Sequence, residues 1–92
     1  MSRQRYELII SPSARRQLTE ELPEAVAFAA YEFIVGPLLE DPQRVGKQLM
    51  PPLEDCHRAR RGTYRVIYRI DTQRRRVTVV GVVHRTDAYR PD

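Results

Sequence analysis

The residues of this chain best suited to chemistry are arginines. "RARRGTYRVIYRI", residues 58–70, places five of them in thirteen positions, within a segment whose alternation otherwise reads as β-strand. A guanidinium is planar and permanently charged, and it forks onto phosphate oxygens. Several on one face form a surface that can hold a phosphodiester and stabilise charge developing on it. A second cluster lies at the C-terminus, where "HRTDAYR" brings His84, Arg85 and Tyr89 together. Histidine moves protons near neutral pH, arginine holds phosphate, and tyrosine stacks on a base or donates from its hydroxyl. Each also has a plainer use: His84 as an exposed strand-end residue, Tyr89 as an anchor for the tail, Arg85 as a partner for Asp87.

Other chemistries find less support. The carboxylates of the basic half are Glu54, Asp55, Asp71, Asp87 and Asp92, none in a metal-ligand spacing. No phosphate-cradling glycine loop or nucleophile elbow occurs, and no cofactor is expected. The single Cys56 excludes an internal disulfide and reads as a small packing residue. Net charge is +4, divided unevenly: residues 1–46 hold five Arg or Lys against seven Asp or Glu, and residues 47–92 hold eleven against five. Fifteen of the sixteen basic residues are arginine, so an anionic partner is expected. The chain has no apolar run long enough to cross a bilayer and no secretory leader pattern, so the expected location is the cytoplasm, away from membranes.

Ninety-two residues predict one domain spanning residues 1–92, because a chain this short cannot divide its core. Tyr6 to Ile10 reads as a first strand. Ser11 caps a helix with Pro12 at its first position and Ala14, Leu18 and Leu22 along one side. Pro23 starts a second helix with the apolar stripe Val26, Ala27, Ala30, Phe33, Ile34 and Leu38; Gly36-Pro37 should bend it or tighten it into a 3₁₀ turn before Asp41-Pro42. Residues 41–56 read as an irregular crossover. Three strands then follow as hairpins, His57 to Arg61, Thr63 to Asp71 and Arg76 to Arg85. The expected class is α+β, with an antiparallel three-stranded meander that forms one sheet with the first strand and both helices on one face.

Alternation assigns the arginines to faces. Tyr64, Val66, Tyr68 and Ile70 point one way and Arg65 and Arg69 the other. Arg58 and Arg60 share a face of the preceding strand, so a twisted sheet can bring them beside Arg65 as a cationic patch. Arg65 sits between apolar neighbours, half desolvated, and wants an anion. Arg69, Arg74, Arg75 and Arg76 read as an ordinary solvated face.

Taken together, the short first strand, two helices, "EDPQRVGKQL", G-x-Y-R-V-I-Y at residues 62–68 and H-R-x-D-x-Y at residues 84–89 resemble the RelE branch of the RelE/ParE superfamily over nearly the whole chain. The resemblance implies the toxin of a bacterial type II toxin–antitoxin pair, an mRNA interferase that acts at the ribosomal A site. There the substrate's own 2′-OH attacks the adjacent phosphate without a metal, leaving a 2′,3′-cyclic phosphate and a 5′-OH. It implies that Arg65 contacts the scissile phosphate, that Arg85 lies near the leaving oxygen, and that Tyr89 stacks on a nucleotide or orients the 2′-OH. Arg58, Arg60, Arg61 and Lys47 would bind RNA phosphate, from mRNA or rRNA, and a cognate antitoxin protein would wrap the toxin with a segment that blocks the site or displaces an element near it. Family members often carry lysine where Arg58 and Arg60 stand. Arginine hardly exchanges protons, so that departure leaves the general base open and puts His84 forward as acid or base, with His57 behind it. The ParE branch, which poisons DNA gyrase, and a noncatalytic basic nucleic-acid-binding module are the alternative readings; the H-R-x-D-x-Y ending favours RelE.

Overall fold

The computed structural model describes residues 5–84. Strand β1, Glu7–Ile10, leads through Ser11 into helix α1, Pro12–Arg16, which widens into a π turn over Gln17–Glu21. Helix α2, Glu24–Phe33, ends in a second π turn over Ile34–Leu38, and strands β2, Lys47–Gln48, β3, His57–Arg61, β4, Tyr64–Asp71, and β5, Arg76–His84, follow. They form one five-stranded sheet in the order β1-β5-β4-β3-β2. β5 through β2 pair antiparallel, whereas β1 lies parallel to β5. The chain therefore starts at one edge, crosses a sheet face through both helices, enters at the opposite edge and meanders back.

Local signals explain the first half. The Ser11 hydroxyl accepts the Ala14 N–H at 3.1 Å, capping a helix whose first residue is Pro12, where a missing N–H costs nothing. Of the two outcomes expected at Pro37, a bend or a 3₁₀ turn, the tightening does not occur; the second helix widens. A proline ring crowds the carbonyl four residues earlier, and an i→i+5 turn relieves that crowding where a 3₁₀ turn would increase it. Residues 41–56 are not wholly irregular either, since Lys47 and Gln48 pair with Arg58 and His57.

Helices and sheet meet along one apolar layer. Val66, Tyr68, Val77, Val79, Val82 and Ala59 from the sheet are buried against Ala14, Ala30, Phe33, Ile34 and Leu38. Strand β5 carries a bulge: Ile67 pairs with Gly81 but Tyr68 with Val79, which leaves Val80 extra. The first helix ties down the groups this frees, because the Ser11 hydroxyl donates to the Val80 carbonyl at 3.3 Å and the Gln17 Oε1 accepts the Val82 N–H at 2.6 Å.

Candidate phosphate-binding face

Antiparallel pairing sorts the candidate residues into rows across the sheet. Arg60 is directly opposed to Arg65, which is opposed to Val83. One step along, Lys47, Arg58, Ile67 and Gly81 form the next row on the same face. Between these rows, Ala59, Val66 and Val82 point into the core. Arg60, Arg65, Arg58 and Lys47 thus share the face away from the helices, with Arg65 half-buried and the other three exposed.

Two residues expected in this group lie elsewhere. Arg61 is opposed to Tyr64, and Tyr64 to His84, so all three belong to the helix-facing side. The Arg61 guanidinium sits 4.6 Å above the Phe33 ring centroid, a cation–π contact with the core's own aromatic. The Tyr64 hydroxyl donates to the Ala29 carbonyl at 3.2 Å, and burial raises its pKa against a smaller opposing effect of Arg61. His84 is on this side because of the bulge. In β5 the core residues run Val77, Val79 and then Val82, so the extra Val80 switches the parity and carries position 84 away from the arginine rows. His57 is also on the core side, its ring 5.6 Å from that of Tyr68. Burial lowers its pKa, and its Nδ1 is enclosed without a hydrogen-bond partner among the described residues. Arg85 and Tyr89 lie outside the described residues.

The pairing of charges separates two classes of arginine. Near the far ends of β4 and β5, Arg69 meets Asp55 at 3.5 Å, Arg74 meets Asp71 at 3.6 Å and Arg76 meets Glu7 at 3.2 Å. Among the described residues no ion pair neutralises Arg44, Lys47, Arg58, Arg60 or Arg65. Here the surface is cationic without internal compensation, a state that favours a bound anion.

Beside the arginine rows lies a hollow of about 350 Å³ lined by Arg44, Val45, Gly46, Lys47, Arg58 and Arg60. Sequence reading missed Arg44, which arrives on the loop before β2. The one available hint was the glycine that "RVGK" places between two cations. Tyr68, wholly buried, holds this loop down by donating its hydroxyl to the Pro42 carbonyl at 2.6 Å; burial pushes its pKa up to about 12. Gly46 passes so close that a Cβ there would collide with the Tyr68 hydroxyl and lie 2.8 Å from the Arg58 carbonyl oxygen. No group of three or more His, Cys, Asp or Glu able to hold a metal occurs among the described residues. What the arrangement can do chemically is bind and polarise an anion. Its five cations are nearly all arginine, which supplies charge and geometry but not proton transfer.

Comparison with known proteins places this geometry among relatives. Residues 8–89 match the family model described as ParE toxin of type II toxin-antitoxin system. Toxin RelE of Mycobacterium tuberculosis is 46% identical over 85 residues, covering 92% of this chain and 87% of that protein. Toxin RelG of the same organism is 44% identical over 85 residues, covering 92% and 97%. Among solved structures, the toxin–antitoxin complex RelBE2 from M. tuberculosis contains a chain that superposes with a TM-score of 0.85 at 41% identity, covering 89% of this chain and all of that one.

Proposed function

This chain belongs to the RelE/ParE family of type II toxin–antitoxin toxins, and from that premise we propose that it cleaves mRNA on the ribosome. The observation that carries the reading is the direct opposition of Arg60 and the half-buried Arg65 on a sheet face whose neighbouring cations have no carboxylate partner among the described residues. In the proposed reaction the 2′-oxygen bonds to phosphorus as the bond to the 5′-oxygen breaks. The 2′-OH proton passes to a base and the leaving oxygen takes up a proton. Negative charge grows on the phosphoryl oxygens, and Arg65, helped by Arg60, meets it with permanently charged guanidinium donors. Arg85 and Tyr89 keep the roles that the resemblance implies, at the leaving oxygen and on the nucleotide. His84 is left out of the proton transfers, since it belongs to the other side of the sheet.

A site built mainly from fixed charge gains most when its substrate arrives already aligned. Holding mRNA near an in-line geometry can contribute roughly 7–11 kcal/mol, which is the reason to assign the ribosome as a partner. The complex in which the M. tuberculosis relative was solved supports a cognate antitoxin as the second partner.

Primer extension on translating ribosomes tests the proposal. Wild-type protein should cut ribosome-bound mRNA, and Arg65→Ala should cut it about 10²- to 10³-fold more slowly in single turnover with an unchanged circular dichroism spectrum. Equal rates for the two proteins would remove Arg65 from the reaction. The matching family model carries the ParE description, so a gyrase supercoiling assay is run alongside. Inhibition there, with mRNA intact, would replace the ribonuclease reading by the gyrase one.

A further inference from the structure

The hollow beside the arginine rows is unaccounted for by a reaction centred on Arg65. Arg44, Lys47, Arg58 and Arg60 reach it together, and no carboxylate lines it among the described residues. Their mutual repulsion works against the loop's closure over the sheet, yet the loop is held there by two features that demand it: the buried Tyr68–Pro42 hydrogen bond and the absence of a Cβ at position 46. A loop pinned at the cost of crowding like charges has the form of an anion site shaped in advance.

The spacing of the rows suits a chain of phosphates. Residues two apart on one strand face are about 6.6–6.8 Å apart, comparable with the separation of neighbouring phosphates along a single-stranded nucleic acid. The Arg60–Arg65 row and the Lys47–Arg58 row lie one such step apart on one face. We infer that the hollow formed by Arg44, Gly46, Lys47 and Arg58 is a second subsite, which holds the RNA backbone phosphate next to the one that is cut. The inference rests on the reading of Arg65 as the scissile-phosphate residue. It adds that the substrate backbone runs along β3, and that Arg44 binds the substrate although it stands on a loop and not in the sheet.

The test uses uncleavable 2′-O-methyl oligoribonucleotides, so that binding is measured apart from cleavage. A dinucleotide carries one internal phosphate and a trinucleotide two. The wild-type protein should bind the trinucleotide about tenfold more tightly, as expected for one added charge-assisted contact. Its log affinity should also fall more steeply with log salt, by about 0.7 per phosphate engaged. In Arg44→Gln, and more completely in the Arg44→Gln/Lys47→Gln double variant, the trinucleotide should lose most of that advantage while dinucleotide affinity stays within about twofold. Both positions are exposed, so the variants should fold, and thermal denaturation confirms it. An undiminished trinucleotide advantage in the double variant would overturn the second subsite. So would an equal loss for both lengths, the mark of a general charge effect. Cleavage assayed on ribosomes in parallel keeps the two readings apart: a length-dependent loss with no mRNA cleavage by wild type would keep the subsite and refute the ribonuclease, and cleavage without the length dependence would do the reverse.

Discussion

Tyr68→Phe removes one oxygen atom and tests whether the cationic loop is held by the bond described for it. The hydroxyl is wholly buried and donates to Pro42 at 2.6 Å. The variant leaves a buried carbonyl without that donor, which costs about 1–3 kcal/mol. For a domain of this size each kcal/mol lowers the melting temperature by about 4–8 °C, so a fall of at least about 4 °C at pH 7 is expected. An independent signature appears in alkali. The phenol's pKa is pushed up to about 12, above the ordinary value near 10 that it takes when unfolded. Between those limits the unfolded chain has released its proton and the folded one has kept it, so stability falls as pH rises. The stabilisation is complete below about pH 10, and some 2–3 kcal/mol is lost by about pH 12. Urea denaturation at steps from pH 7 to 11.5 measures both effects. The wild-type midpoint should drop through the alkaline range, and the Phe variant should start lower and drop less. A variant as stable as wild type at pH 7, with the same alkaline decline, would refute the account of this tyrosine as the loop's anchor.

Gly46→Ala should destabilise by about 1–3 kcal/mol, because the new methyl meets the Tyr68 hydroxyl and the Arg58 backbone; the urea midpoint reports it, and trinucleotide binding should weaken with it. Gln17→Ala leaves the buried bulge N–H of Val82 without its 2.6 Å acceptor, so a loss of about 1–3 kcal/mol is expected, with faster amide exchange at Val82 by NMR. Arg61→Ala gives up the contact over Phe33, worth about 0.5–1 kcal/mol. Cleavage of ribosome-bound mRNA should stay within about twofold of wild type, and a tenfold loss would return Arg61 to the phosphate site.

Much of the fold was legible because its signals are local. Ser11-Pro12 caps a helix wherever it stands, Pro37 must disturb the turn around it, and the alternation of Tyr64, Val66 and Tyr68 sends Arg65 outward whatever the partner strands do. The two-residue strand at Lys47–Gln48 was not legible, since so short an element has no period of its own and exists only because β3 offers it a ladder. Arg44 was hidden for a related reason: nothing within "DPQRVGKQ" says that the loop folds back onto the sheet until Tyr68 and Gly46 are seen to meet.

The sequence by itself determined that this chain carries an excess of arginine in one half and that Arg58, Arg60 and Arg65 stand on outward strand positions, because charge and two-residue alternation are properties of neighbouring residues. Only the tertiary structure decided which arginines are neutralised and which are left to bind. Asp55 and Glu7 reach Arg69 and Arg76 from distant parts of the chain, and no described carboxylate reaches Arg44, Arg58, Arg60 or Arg65. It also decided the side on which His84 falls, since one extra residue in β5 reverses every position after it, and that bulge is held in place by Ser11 and Gln17 from a helix some seventy positions earlier in the chain. Parity within a strand is written locally. Register between strands is set by packing, and the packing here is long-range.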